Sequence, residues 1–140
     1  MGKGDAAMRS LDMDGPFKLT KDEIARRVKE QLPGNFALGR MTEDKKFLVR
    51  YVGRDDVDVR RALAGSLSTA SEPGFLSRLM GAEPGNDYFK FSFAQTCEAA
   101  YEKQCRQYHA FNKKGNLRNK RHPRSPSNTK MPCPICGDEY

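Results

Sequence analysis

The chain has 140 residues, a net charge of +7 and a mean hydropathy of −0.79, values that allow one domain with a modest core. No stretch approaches the roughly 18 consecutive apolar residues of a membrane span, and the opening sequence MGKGDAAMRSLDMDG lacks the apolar core of a secretion signal. We therefore expect a cytoplasmic protein with no membrane-spanning segment. Residues 1–18 are predicted to be a disordered leader.

The predicted folded region begins with a helix at Thr20. The sequence TKDE is a capping box, in which the Thr20 hydroxyl and the Glu23 carboxylate satisfy free backbone amides. Ile24, Val28 and Leu32 then recur on one face until a Pro-Gly pair ends the run.

A hairpin and a second helix are predicted next. Two β-rich runs, NFALGR and FLVRYVG, flank the polar turn MTEDKK, and Gly53 closes the second strand. In the following DDVDVRRALAGSL, Asp55 or Asp56 is the expected N-cap, and Val59 and Leu63 lie on one stripe.

The remaining pattern completes an α+β (mixed α/β) fold. Residues 68–87 contain three glycines and two prolines around FLSRLM, which predicts a loop with a small embedded helix. YFKFSFA alternates as a half-buried strand does, and Thr96 caps a long helix, CEAAYEKQCRQYHAF. We predict a small three-stranded sheet flanked by helices within residues 19–112, followed by a basic arm and a zinc knuckle in residues 113–140.

Positive charge is concentrated near the carboxyl-terminal end. The segment from Lys103 to Lys130 contains nine basic residues and no acidic one. Such a segment is typical of a polyanion partner, with nucleic acid the expected one. A solvated basic tail is the alternative interpretation.

The four cysteines indicate a metal site, because in a reducing compartment they are expected to stay thiols. CPICG places Cys133 and Cys136 at the spacing of a zinc knuckle. Cys105 and His109, four residues apart, lie on one face of the last predicted helix. These four residues predict a structural Cys3His zinc site with no open coordination position.

The nitrogen ligand and the role of the C-x-x-C pair each have alternatives. His122, in the sequence RHP, is the alternative nitrogen ligand. The C-x-x-C pair also fits a redox-active dithiol or a plain disordered tail.

Several short motifs, in this order, resemble the GIY-YIG nuclease domain. They are GNF at 34–36, YVG at 51–53, an arginine in the following helix, a glutamate in the last helix and Asn119 beyond it. The resemblance covers roughly residues 33–120. It implies a GIY-YIG-like arrangement, in which a hairpin, a helix, a third strand and a final helix follow one another.

The resemblance also implies divalent-metal-dependent hydrolysis of a phosphodiester. By position, Glu102 would hold a magnesium or manganese ion, Tyr51 would act at the nucleophile, and Arg61 or Arg60 would hold the phosphate. The expected nucleic-acid contacts, with DNA as the expected partner, are Arg54, Arg60, Lys113, Lys114, Arg118, Asn119, Lys120 and Arg121.

Two departures from the family pattern favour a second hypothesis. Phe36 stands where relatives carry a tyrosine hydroxyl, and Ala62 rather than an arginine precedes Leu63. The chain would then be a nucleic-acid-binding module that has lost catalysis, or, as a third hypothesis, a module whose basic arm binds an acidic protein.

Each catalytic candidate also has a purely structural interpretation. Glu102 could be a surface residue paired with Arg106 four residues later. Tyr51 could be a half-buried strand tyrosine. Arg60 and Arg61 could belong to a charged helix face.

Overall fold

A computed structural model describes residues 11–71, 87–127 and 129–140. It confirms the mixed α+β class. The elements in chain order are β1 (Asp14–Lys18), α1 (Lys21–Arg27), β2 (Gly34–Met41), β3 (Phe47–Asp55), α2 (Val59–Ser71), β4 (Tyr88–Phe93) and α3 (Cys97–Phe111). Helix α2 continues to Ser71, into the segment predicted as a loop from residue 68, and the small helix predicted at FLSRLM lies outside the described residues.

The strands form one antiparallel sheet of four strands in the order β1-β4-β2-β3. The prediction of three strands was therefore wrong, because β1 lies within the segment expected to be a leader. Phe17 holds β1 in place, since its ring centroid is 5.6 Å from that of Phe89 and 6.3 Å from that of Phe91. One aromatic residue next to a Gly-Pro pair does not produce the alternation by which strands are recognised.

The predicted hairpin is formed by β2 and β3. Its turn is closed by the Thr42 amide, which donates to the Lys46 carbonyl at 2.8 Å. Phe36 lies opposite Gly53 in the pairing. A methyl group at Gly53 would lie 2.5 Å from an atom of the Phe36 ring, so the glycine of YVG is required by packing whatever else it does.

The helices start close to the predicted residues, whereas the end of α1 and the N-cap of α2 differ from the prediction. Thr20 accepts from the Glu23 amide at 3.1 Å, and Thr96 accepts from the Ala99 amide at 3.0 Å. The other half of the predicted capping box is absent, because the Glu23 carboxylate pairs with Arg26 and Arg27 and the Thr20 amide donates to the Lys18 carbonyl. The first helix stops at Arg27, and Leu32 is 40% exposed instead of continuing its apolar face.

The cap of α2 is Asp58, not Asp55 or Asp56 as predicted. Its carboxylate accepts from the Arg60 amide at 3.0 Å. Asp55 accepts instead from the Val57 and Asp58 amides at 2.9 and 2.8 Å and so forms the turn before the helix.

Each face of the sheet carries its own core. Helices α1 and α2 cover one face, and the buried residues there are Ile24, Val28, Phe36, Leu38, Val59, Leu63, Phe89 and Phe91. The opposite face packs against residues that include Leu11 and Leu117. The long helix α3 also packs on β2 and β3, and no helix among the described residues is both long and apolar enough to cross a bilayer.

Candidate functional site

An open cleft of about 850 Å³ runs beside the edge strand β3. Its walls come from the end of β3, the turn into α2, one residue of α3 and the arm at 118–124. Six cationic side chains and only two acidic ones line it: Arg54, Arg61, Arg118, Lys120, Arg121 and Arg124, against Asp55 and Asp56. The cleft is therefore suited to an anionic partner.

The arm reaches the cleft because it pairs with the edge of the sheet. The Asn119 side chain accepts from the Val52 amide at 3.0 Å and donates to the Val52 carbonyl at 2.8 Å. One side-chain amide thus replaces a neighbouring strand at the unpaired edge. Leu117 is buried nearby, in the core on the α3 side, so the basic arm is docked against the domain.

Arg54 forms the floor of the cleft. Its guanidinium donates to the Asp56 carboxylate at 2.7 Å and to the side-chain amide oxygen of Gln104 at 2.8 Å, and its side chain is 10% exposed. It also lies 5.1 Å above the Tyr101 ring centroid. Because these contacts use its hydrogen-bonding edges, Arg54 serves to hold the cleft together more than to meet a phosphate.

Arg61 lies at the rim, bound to Asp55. One of its terminal nitrogens donates to both carboxylate oxygens, at 2.9 and 3.1 Å, while its side chain stays 64% exposed. Burial raises the pKa of Asp55, but the amides of Asp58 and Val57 and the Arg61 guanidinium lower it further, so the net shift is downward. Arg60 does not line the cleft.

Three cations of the arm carry no counter-charge. Lys120, Arg121 and Arg124 are exposed and line the cleft, and they form no ion pair with any residue that the structure describes. Lys113 and Lys114 are also exposed but lie outside the cleft.

Tyr51 lies in the cleft wall. Its ring centroid is 5.9 Å from that of Phe36, and burial raises its pKa. Within the described part of the chain its hydroxyl has no hydrogen-bond partner. The half-buried Tyr51 ring therefore contributes to packing, and its hydroxyl is available to hydrogen-bond to a ligand.

Glu102 does not join Tyr51 and Arg61. The residue of α3 that enters the cleft is Gln104, whose side chain is buried and donates to the Val52 carbonyl at 3.3 Å. Two residues correspond to about 200° around a helix, so Glu102 lies near the opposite side of α3. The two carboxylates that do line the cleft, Asp55 and Asp56, are each in an ion pair with an arginine.

Next to the cleft, two histidines and two cysteines converge. The nitrogen and sulfur atoms of His109, His122, Cys133 and Cys136 that could bind a metal all lie within 4.8 Å of one another. The two histidine Nε2 atoms are 3.1 Å apart, and the Cys136 sulfur is 3.6 Å from the His122 Nε2. Bond lengths of about 2.0 Å to nitrogen and 2.3 Å to sulfur give tetrahedral edges of roughly 3.3 to 3.8 Å.

The backbone of the knuckle at 133–137 favours the thiolate form of Cys133, which can bind a cation. The amides of Ile135 and Cys136 point at the Cys133 sulfur, at 3.4 and 3.5 Å. Gly137 adopts a φ of +79°, which glycine tolerates. Burial raises the pKa of Cys133, but these amides and the contact with His122 outweigh it and lower the pKa to about 6, which favours the thiolate that binds metals.

The His122 ring is oriented by its neighbours. Its Nδ1 lies 2.8 Å from the Pro123 carbonyl, which requires a proton on Nδ1 and leaves the Nε2 lone pair facing the cluster. Tyr140 stacks on the ring at 3.8 Å, and the Tyr108 ring lies at 5.3 Å. His122, considered as the alternative ligand, is therefore in the set.

Cys105, predicted as a ligand, lies beside the set. Its fully buried thiol packs with Tyr101 and Cys133 in one buried cluster. Burial raises its pKa to about 12, so it stays a thiol that supports Cys133. Cys105 and His109 both lie toward the cluster, but only His109 offers a ligand atom to it, whereas Cys105 is buried behind Cys133.

The cleft residues that sequence reasoning missed include Gln104, Arg124 and the pair Asp55 and Asp56, which were predicted only as helix caps. Gln104 has no property that distinguishes it from Gln107 in the same helix, because only the rotation of α3 selects it. Arg124 lies in the acid-free basic segment, and that charge pattern was the available signal.

No protein-family model, no curated protein and no solved structure matches this chain.

Proposed function

We propose that this protein binds the phosphate backbone of nucleic acid in the basic cleft, without cleaving it. The observation that supports this proposal is the trio Lys120, Arg121 and Arg124, exposed on the cleft wall without an acidic partner among the described residues. Lys and Arg at such positions release counterions from nucleic acid when they bind. The arm is docked beforehand through Asn119, which reduces the ordering cost of binding.

A charge-reversal experiment tests this proposal, with duplex DNA as the first ligand. Changing Lys120, Arg121 and Arg124 to glutamate should weaken binding about 100-fold. The slope of log K against log salt should fall by about 3, one phosphate per cation. The matched control changes Lys113, Lys114 and Lys130 to glutamate, an identical change in net charge outside the cleft.

Fluorescence anisotropy over a salt series measures both quantities, and circular dichroism verifies folding. Equal losses in the two triple variants would contradict a specific cleft. Absence of DNA and RNA binding by the wild-type protein, together with binding to an acidic protein, would favour a protein-interaction module.

The Cys/His cluster supports a second part of the proposal, a structural zinc ion. Two thiolates and two imidazoles form a zinc ligand set, and four protein ligands leave no position for a reacting water. A reducing cytoplasm would keep the cysteines available. Cobalt substitution tests the ligand set: tetrahedral visible absorption with thiolate charge transfer should appear in the wild type and be lost in Cys136→Ser.

Metal-dependent hydrolysis is the second candidate function, in line with the GIY-YIG resemblance. Tyr51, Arg61 and Asn119 all line the same cleft, which favours it, whereas Glu102 lies outside. Incubation of plasmid DNA with Mg²⁺ or Mn²⁺ distinguishes the two functions. Nicking by the wild type that Glu102→Ala abolishes would establish the nuclease, and a binding module leaves the plasmid intact.

A further inference from the structure

His122 belongs to two sites at once. Its Nε2 is one of the atoms of the Cys/His cluster, and the residue also lines the cleft beside Arg121 and Arg124. The residue that follows, Pro123, is buried and accepts from the His122 ring. A change in the position of His122 therefore moves the two neighbouring arginines of the cleft wall.

A second chain of contacts joins the cluster to the cleft floor. Cys133 packs against Cys105 and Tyr101 in one buried cluster. The Tyr101 ring lies under the Arg54 guanidinium at 5.1 Å. Arg54 in turn holds Asp56 and Gln104 in the cleft.

A bound cation would join the four side chains of the cluster directly to one another. The two imidazole Nε2 atoms are 3.1 Å apart, so without a metal ion one N–H···N hydrogen bond, donated by His109 because the His122 proton is on Nδ1, would take the place of two metal bonds. Nearby, the arm places Lys120, Arg121 and Arg124 along one short segment, where their charges repel. Between the anchor at Asn119 and the cluster, no hydrogen bond that the structure describes joins Lys120 or Arg121 to the sheet.

We propose that occupancy of the His109, His122, Cys133 and Cys136 site by a divalent metal ion controls the affinity of the cleft for nucleic acid. With the metal bound, the arm is fixed at both ends and its three cations are held along the cleft wall. Without it, the arm keeps its anchor at Asn119 and the packing of the His122 ring against Tyr108 and Tyr140, but loses the bonds that join His122 to the other three ligands, so binding must restrict the segment further. This inference depends on the proposed nucleic-acid binding.

The first test compares one full-length preparation in three states: loaded with one equivalent of Zn²⁺, stripped with a chelator, and reloaded. Affinity for a short fluorescein-labelled DNA duplex is measured at fixed salt. We expect the stripped protein to bind at least about tenfold more weakly with a salt slope lower by up to about 3, and reloading to restore both.

The second test uses the reciprocity of linked binding. Saturating duplex DNA should raise the affinity of the wild-type protein for Zn²⁺, measured against a competing chromophoric chelator, by the same factor. Cys136→Ser should abolish the dependence of DNA binding on zinc. Cys97→Ala, a cysteine outside the cluster, should retain it.

The outcomes separate the two proposals. If zinc-loaded protein does not bind nucleic acid, the proposed function is wrong. If loaded and stripped proteins bind equally, or if DNA leaves the zinc affinity unchanged, the metal has no control over the cleft and this inference is wrong, while the proposed function stands. The reciprocity measurement needs no variant, so misfolding of a mutant cannot obscure the answer.

Discussion

Gly53 matches the glycine of a functional motif, although its packing alone explains why a glycine is needed there. The YVG sequence resembles a nuclease motif, yet the place of its glycine is explained by the Phe36 ring across the hairpin. Tyr51, in the same motif, both packs against Phe36 and lines the cleft. For single residues, a chemical role therefore has to be judged from the contacts of the side chain as well as from the motif.

Gly53→Ala should destabilise the fold by about 1–3 kcal/mol, because the new methyl group would overlap the Phe36 ring. Urea unfolding measures the change. Gly65→Ala is the matched control: Gly65 lies inside α2 with no atom near the new methyl group, so this change should stabilise by about 0.5–1 kcal/mol. A Gly53→Ala protein as stable as the wild type would contradict the packing interpretation.

Asp55 gives a prediction about pH. Its pKa is lower in the folded state, so its contribution is present above the unfolded pKa of about 4 and is lost as pH falls through the folded value. Asp55→Asn should therefore lower the urea midpoint at pH 7 and have a smaller effect near pH 3. Asp44→Asn, in the exposed β2–β3 turn, should show no such difference between the two pH values.

The edge of the sheet is the element that positions the site. Strand β3 ends the sheet, and the arm satisfies its Val52 amide and carbonyl through Asn119. The same pairing places Arg118 and Lys120, the neighbours of Asn119, along the cleft. The pairing that covers the open edge of the sheet therefore also forms the basic surface of the cleft.

Asn119→Ala should cost about 1–3 kcal/mol, because it leaves the buried Val52 amide without an acceptor. Hydrogen exchange at the Val52 amide should accelerate more than at the rest of the sheet. Asn116→Ala, an exposed residue in the same arm, is the control and should leave both quantities unchanged. Unaltered Val52 exchange in Asn119→Ala would show that the arm does not cap this edge.

At the scale of the whole molecule, the fold brings the basic segment and the Cys/His cluster together. The acid-free segment from Lys103 to Lys130 is divided by the fold: Lys103 binds the Asp12 carbonyl at 2.7 Å, away from the cleft, whereas Lys120, Arg121 and Arg124 line it. The cluster joins the carboxyl-terminal end to α3 through His109 and Cys133. The basic segment therefore acts as part of the domain.

Zinc should raise the thermal stability of the whole chain, because the proposed site exists only when the tail is docked on α3. At about 100 times the dissociation constant, mass action gives about 2.7 kcal/mol, or a rise of roughly 5–10 °C in the midpoint of unfolding. Differential scanning calorimetry with increasing zinc measures it. His109→Ala should remove the dependence, and a midpoint that ignores zinc in the wild type would contradict the site.

Local pattern alone determined the hairpin, the bounds of α3, the caps at Thr20 and Thr96 and the mixed α+β class, because these features depend on neighbouring residues in the chain. It also identified the residues from which the Cys/His cluster and the basic arm are built. Tertiary structure alone decided that Gln104 enters the cleft while Glu102 does not, that His122 joins the cluster while Cys105 supports it, and that β1 completes the sheet. These outcomes depend on the rotation of α3 about its axis and on contacts between distant segments, neither of which spacing along a chain can specify.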